Sequence, residues 1–197
     1  TKFFDVFPEL LATSKSTYHE INLQDLLSHR ARLIRFKNES EVYPITDYEK
    51  TLPRNASYNQ KRYYFVKQVL QYDPLPLYDN EDDRYPNAGY IAALLMLEKA
   101  SKKDWDALLE QINNDLGIYC HNGWPNTYNK KQPVGHINPR EWLIDLEENI
   151  IPIPEVLRKY HYFNQTYELV TPISISVTNF LKFLGLHIQG LAGEDNY

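Results

Sequence analysis

The sequence predicts a mainly α-helical fold, a single compact domain over residues 1–197 with about six or seven helices around a central buried helical hairpin. Three observations carry this expectation. Residues 87–117 read as two helices joined back to back. Several further segments place a capping residue before an apolar 3-4-7 pattern. Only 7 glycines occur in 197 residues, too few for a fold built on tight hairpins or phosphate-binding loops.

The N-terminal stretch Phe3–Leu11 is aromatic-rich with Pro8 inside it, so residues 1–20 read as a docking arm or a short helix rather than a flexible tail. Asn22 caps a helix that carries Leu23, Leu26 and Leu27 and is expected to run to about Leu33. Near residues 33–45 the sequence admits one short β-hairpin, Leu33–Phe36 against Glu41–Ile45. Ser57 and Gln60 form a capping box before Phe65, Val66, Val69 and Leu70. Asp73-Pro74-Leu75-Pro76 then stops that helix, because the residue before a proline avoids the α region and proline lacks an amide donor.

Within residues 87–117, Tyr90, Ile91, Leu94, Leu95 and Leu97, with Ala92, Ala93 and Met96 between them, are apolar nearly all round and predict a core helix. Trp105, Leu108, Leu109, Ile112 and Leu116 form the one-sided stripe of a second helix, capped by Ser101 or Asp104 and ended at Gly117. Ile118–Ile137 reads as a long loop. Asn138-Pro139-Arg140-Glu141 starts a helix bearing Trp142, Leu143, Leu146 and Ile150, and Pro154 opens another with Val156, Leu157, Tyr160 and Phe163 inward. After Thr171-Pro172, a further cap and first-turn proline, the residues Ile173, Val177, Phe180, Leu181, Leu184 and Ile188 fit a helix spacing closely. Ile173, Ile175 and Val177 also alternate as a strand would, but the helical period runs for four turns and is preferred.

The balance of charge narrows the function classes. A net charge of −5 disfavours nonspecific binding to phosphate backbones, which needs clustered Lys and Arg, so nucleic acid is not an expected ligand. No apolar run reaches the ~18 residues of a membrane span, and no basic-then-apolar signal segment opens the chain. Cys120 is the only cysteine, which excludes an internal disulfide and points to a thiol-tolerant, cytoplasmic setting. Sixteen tyrosines, eight phenylalanines and three tryptophans provide amphipathic surface suited to interfaces.

Acidic and aromatic residues concentrate at Tyr78, Asp79, Glu81, Asp82, Asp83 and Tyr85, and with Trp124 they are the expected partner-binding residues. Such a surface suits a basic protein partner, as an immunity or inhibitor-type protein would hold. A structural subunit of a larger assembly is the second reading. The third is a hydrolase-like enzyme using Cys120, His121 and His136, with His161 a further candidate base. No cysteine-hydrolase signature surrounds Cys120, and the Cys and His spacings match neither a zinc finger nor a metalloprotease helix. In the Asp79–Asp83 run, Arg84 stands where a calcium loop needs glycine. The i, i+3 carboxylates Asp145 and Glu148 fit the wet side of a helix. Catalytic residues, metals and cofactors are therefore not assigned, and binding is favoured over catalysis.

Overall fold

The computed structural model describes residues 1–35, 52–53, 55–76, 86–134, 136–137, 151–152 and 173–193. The fold is mainly α-helical, as the sequence predicts. In chain order the described elements are α1 (Phe3–Val6), two 3-10 turns (Pro8–Thr13 and Ser16–Tyr18), α2 (Leu23–Leu27), α3 (Tyr58–Val69), α4 (Asn87–Ser101) and α5 (Trp105–Leu116). There follow β1 (Cys120–Asn122), α6 (Pro125–Tyr128), β2 (His136–Ile137), β3 (Ile151–Pro152), β4 (Ile173–Ile175) and α7 (Val177–Leu191). Contacts group the described residues into two compact units, residues 1–105 and residues 106–193.

The first unit is built on α4, against which α1, α2 and α3 pack. Ile91, Ala92, Leu95 and Met96 of α4 are buried with Phe65, Val66 and Val69 of α3 and Leu26 of α2. The closest approach is at Gly89, where a Cβ would lie 2.8 Å from the Leu26 carbonyl oxygen, so a side chain there would push α2 away. Tyr90 and Leu97, expected in the core, are instead about half exposed, and Leu94 is only partly covered. Helical geometry explains the difference: three neighbouring helices cover one side of α4 and leave the other to water, whatever its composition.

Residues 1–20 belong to this unit's own core. Phe3, Phe4, Phe7, Leu10 and Tyr18 are buried, with the Phe3 ring 5.1 Å from Phe7 and 5.2 Å from Phe4. The Phe3 amide donates to the Ile21 carbonyl at 2.9 Å and the Leu23 amide to the Thr1 carbonyl at 3.1 Å, which clamps the terminus beside the start of α2.

Helix ends account for the main departures from the sequence reading. The capping box at α2 is present: Asn22 Oδ1 accepts from the Asp25 amide and Asp25 Oδ2 from the Asn22 amide. The helix nevertheless stops at Leu27 rather than near Leu33. His29 adopts a left-handed φ of 60°, its amide donates to Leu26 and the Arg30 amide to Asp25, and this Schellman pattern closes the helix. The α3 box is as expected, with the Gln60 amide donating to Ser57 Oγ at 3.2 Å and the Ser57 amide to Gln60 Oε1 at 2.9 Å. Helix α5 ends at Gly117, φ 58°, in the same Schellman pattern through Gly117 to Asn114 and Ile118 to Asn113.

In the second unit, residues 118–137 are not a plain loop, since they hold β1, α6 and β2. Strand β1 pairs antiparallel with β4, Cys120 opposite Ile175 and Asn122 opposite Ile173, and β2 pairs antiparallel with β3. Ile173–Ile175 is therefore strand, and the preferred helical reading of that stretch is corrected. Helix α7 begins only at Val177, where Ser176 Oγ accepts from the Asn179 amide at 3.3 Å. Ladder bonds to β1 outweigh the helical period until a cap becomes available. The expected hairpin near 33–45, apart from residues 33–35, and the helices expected over 138–150 and 154–163 lie outside the described residues.

Burial moves the core prediction from Leu94 to its neighbour. Leu95→Ala should cost on the order of 2–5 kcal/mol in urea unfolding, the range for a fully buried leucine, and Leu94→Ala distinctly less. Equal losses would contradict the placement of α4.

Candidate protein-binding surface

Three constellations in the described residues hold chemistry-bearing side chains or unpartnered surface. The first is a buried carboxylate. Glu98, on α4, is 3% exposed and Arg62, on α3, 1% exposed. Glu98 Oε2 accepts from Arg62 Nε at 3.1 Å and from Asn59 Nδ2 at 2.7 Å, while Oε1 accepts from Arg62 Nη2 and from the Trp105 amide at 2.9 Å. Four donors compensate the loss of hydration that a buried carboxylate suffers. The network is incomplete on the other side, because Arg62 Nη1 is buried with no partner among the described residues.

Beside this pair opens a cleft of about 510 Å³ with Phe7, Asn59, Tyr63 and Lys99 on its walls. Lys99 lies in the last turn of α4 and over the Phe7 ring, with Lys102 and Lys103 following. Cations gather there as they do at helix C-termini generally, near carbonyls that carry partial negative charge. Burial and the nearby Glu9 carboxylate push the Tyr63 hydroxyl above its ordinary range, in the direction of a neutral phenol.

The second constellation surrounds Cys120. Asn113, on α5, receives the Cys120 amide on Oδ1 at 3.0 Å and donates Nδ2 to the Cys120 carbonyl at 2.9 Å, so one amide side chain imitates a neighbouring strand. The Cys120 thiol also donates to Asn113 Oδ1, at 2.9 Å. Cys120 is buried while His121, next along β1, is exposed, as alternation along a strand requires. The structure does not bring these two side chains together. Burial pushes the thiol pKa up, opposite to what an activated nucleophile needs.

The third is α7. Its inner side is fixed by Asn179 Nδ2 donating to the Tyr119 carbonyl at 3.3 Å and Lys182 Nζ donating to the Gly117 carbonyl at 2.8 Å, with Phe183 and Leu186 partly covered on the same side. Val177, Phe180, Leu181, Leu184, Ile188 and Leu191 are between 39% and 90% exposed. At 100° per residue these six fall in a stripe about 100° wide, opposite the side that touches the unit. The helical spacing read from the sequence holds from Val177 onward, and the side that carries it lies in water. The stripe escaped the list of expected partner-binding residues, although its spacing was visible.

Of those expected residues, Tyr78, Asp79, Glu81, Asp82, Asp83 and Tyr85 lie outside the described residues, as do His161, Asp145 and Glu148. Trp124 is half-buried and immediately precedes α6. His136 stands in β2 opposite Pro152. Among the described residues no group of three His, Cys, Asp or Glu side chains comes together as a metal site, and no helix is long and apolar enough to cross a membrane. No protein-family model, curated protein or solved structure matches this chain.

Two measurements test the buried groups. Glu98→Ala should cost about 3–5 kcal/mol, because Arg62 is left as a buried unpaired charge, whereas Arg62→Met combined with Glu98→Leu should recover most of that loss in urea unfolding. For Cys120, alkylation should be slow in the folded protein and accelerate only at pH above the ordinary thiol range. Rapid alkylation at neutral pH would overturn its assignment as a packed, hydrogen-bonded thiol.

Proposed function

We propose that the chain is a protein-binding module that works as a subunit of a protein assembly, with the outer stripe of α7 as its contact surface. The observation that carries this reading is a helix joined to its unit through Asn179 and Lys182, with six large apolar side chains exposed to solvent. Contiguous apolar patches beyond a few hundred Å² are uncommon on monomers and mark interaction sites when they occur. The second reading, an immunity or inhibitor-type protein holding a basic partner, is favoured by the net charge of −5 and by the acidic run Asp79–Asp83. The enzyme reading has less support, since the Cys120 thiol is occupied by Asn113 and faces away from His121.

A photo-crosslinking residue in place of Leu181 tests the contact surface in the cells that make the protein. A discrete protein–protein adduct from position 181, absent when the crosslinker replaces the exposed Lys130, is the expected result. Identical background from both positions would overturn the proposal.

A further inference from the structure

We infer that the occupant of the α7 stripe is a second copy of this chain, joined through a two-fold helix pair; the inference rests on the protein-binding reading and names its partner. Val177, Leu181, Leu184, Ile188 and Leu191 follow one another at intervals of four, three, four and three residues. That is the a/d repeat by which one helix meshes with another, two heptads long. Because the same five side chains serve as knobs and line the holes, the stripe is complementary to itself, as a two-fold interface requires.

Charge points the same way. Helix α7 contains no carboxylate, and its one lysine, Lys182, is directed to the Gly117 carbonyl on the inner side. Two copies can therefore meet here without like-charge repulsion even though each chain carries −5. A basic partner would find no countercharge on this stripe, which leaves it to the acidic segments. Size is adequate as well. The exposed area of the six side chains is on the order of 600 Å² per copy, so a pair covers ~1,200 Å², the lower bound of specific interfaces. Two heptads in isolation would not hold a helix, but α7 is already formed and fastened to its unit through Asn179 and Lys182, so pairing carries no nucleation cost.

The test is sedimentation velocity of the full chain from about 1 to about 100 µM, the range in which a modest dimer dissociates. Wild-type protein should move from the 23.3 kDa monomer toward twice that mass as concentration rises. Leu181→Glu with Ile188→Glu should remain monomeric throughout, and Gln189→Glu, off the stripe, should behave as wild type. Circular dichroism of each variant establishes that it is folded. Wild type that stays monomeric at the highest concentration overturns the self-pairing. If the Leu181 crosslink then captures another protein, the binding-module reading stands without it, and if it captures none both fall. A monomeric wild type whose melting temperature drops sharply in the double variant would show the stripe to be covered within its own chain, which overturns both.

Discussion

The first unit depends on one carboxylate. Glu98 sits on the central helix α4 and accepts hydrogen bonds from Asn59 and Arg62, one turn apart on α3, and from the Trp105 amide at the start of α5. Apolar packing between α3 and α4 is not directional and would tolerate sliding by a turn. A bidentate ion pair in a dry interior does not, since a shift of one residue would strand both charges. The pair therefore fixes register, while Leu95, Ile91, Phe65 and Val66 supply the apolar burial that holds the helices together. It also does part of a cap's work: a helix leaves its first four amides without internal partners, and Glu98 satisfies the one on Trp105.

The starts of α2 and α3 were legible in the sequence because their chemistry is local, whereas the start of α7 lies past the Thr171-Pro172 signal, at Val177. Asn22 with Asp25 and Ser57 with Gln60 are reciprocal side-chain and backbone bonds that the residue types announce. Helix ends were legible where glycine or a proline run marks them, as at Gly117 and before Asp73-Pro74. Gly117 turns left-handed and stops α5 as expected, but His29 at 60° and Lys102 at 57° do the same for α2 and α4 without a glycine. A left-handed residue with a side chain costs on the order of 1 kcal/mol, which tertiary contacts must offset. At α2, burial of Ala31 and Leu33 just past the turn provides that compensation, and no local pattern reveals it.

Periodicity identifies which residues share a side, not which side meets the protein. The spacings of α4 and, from Val177, of α7 were both read as helical, and that of α4 was assigned to the core. For α4 this held along Ile91, Leu95 and Met96. For α7 the inner side is chosen by Asn179 and Lys182, two polar residues whose partners are the backbone carbonyls of Tyr119 and Gly117. Those carbonyls follow the end of α5 and lead into β1, beyond the reach of intrahelical amide donors, and a long cation reaches one of them while its stem covers the turn. Asn113 plays a similar part nearby, its amide replacing a strand for Cys120. Polar side chains that complete backbone hydrogen bonding across tens of residues leave no signature in spacing, which explains why the candidate surface escaped a reading that found its residues.

The placement of these polar groups also bears on the proposed function. Glu98 is occupied by Arg62, Asn59 and the Trp105 amide, and the Cys120 thiol is taken by Asn113. Glu98, Arg62 and Cys120 have structural occupations, whereas the exposed apolar side of α7 has none among the described residues. At ~25 cal/mol/Å², covering an area on the order of 600 Å² on each of two surfaces would contribute roughly 30 kcal/mol gross. Loss of translational and rotational freedom, with the ordering of the side chains involved, consumes much of such a gain, and interfaces at the lower size limit retain only a modest remainder. A pairing of this kind would be reversible and concentration-dependent, and it would leave α7 folded, because Asn179 and Lys182 hold the helix from its other side.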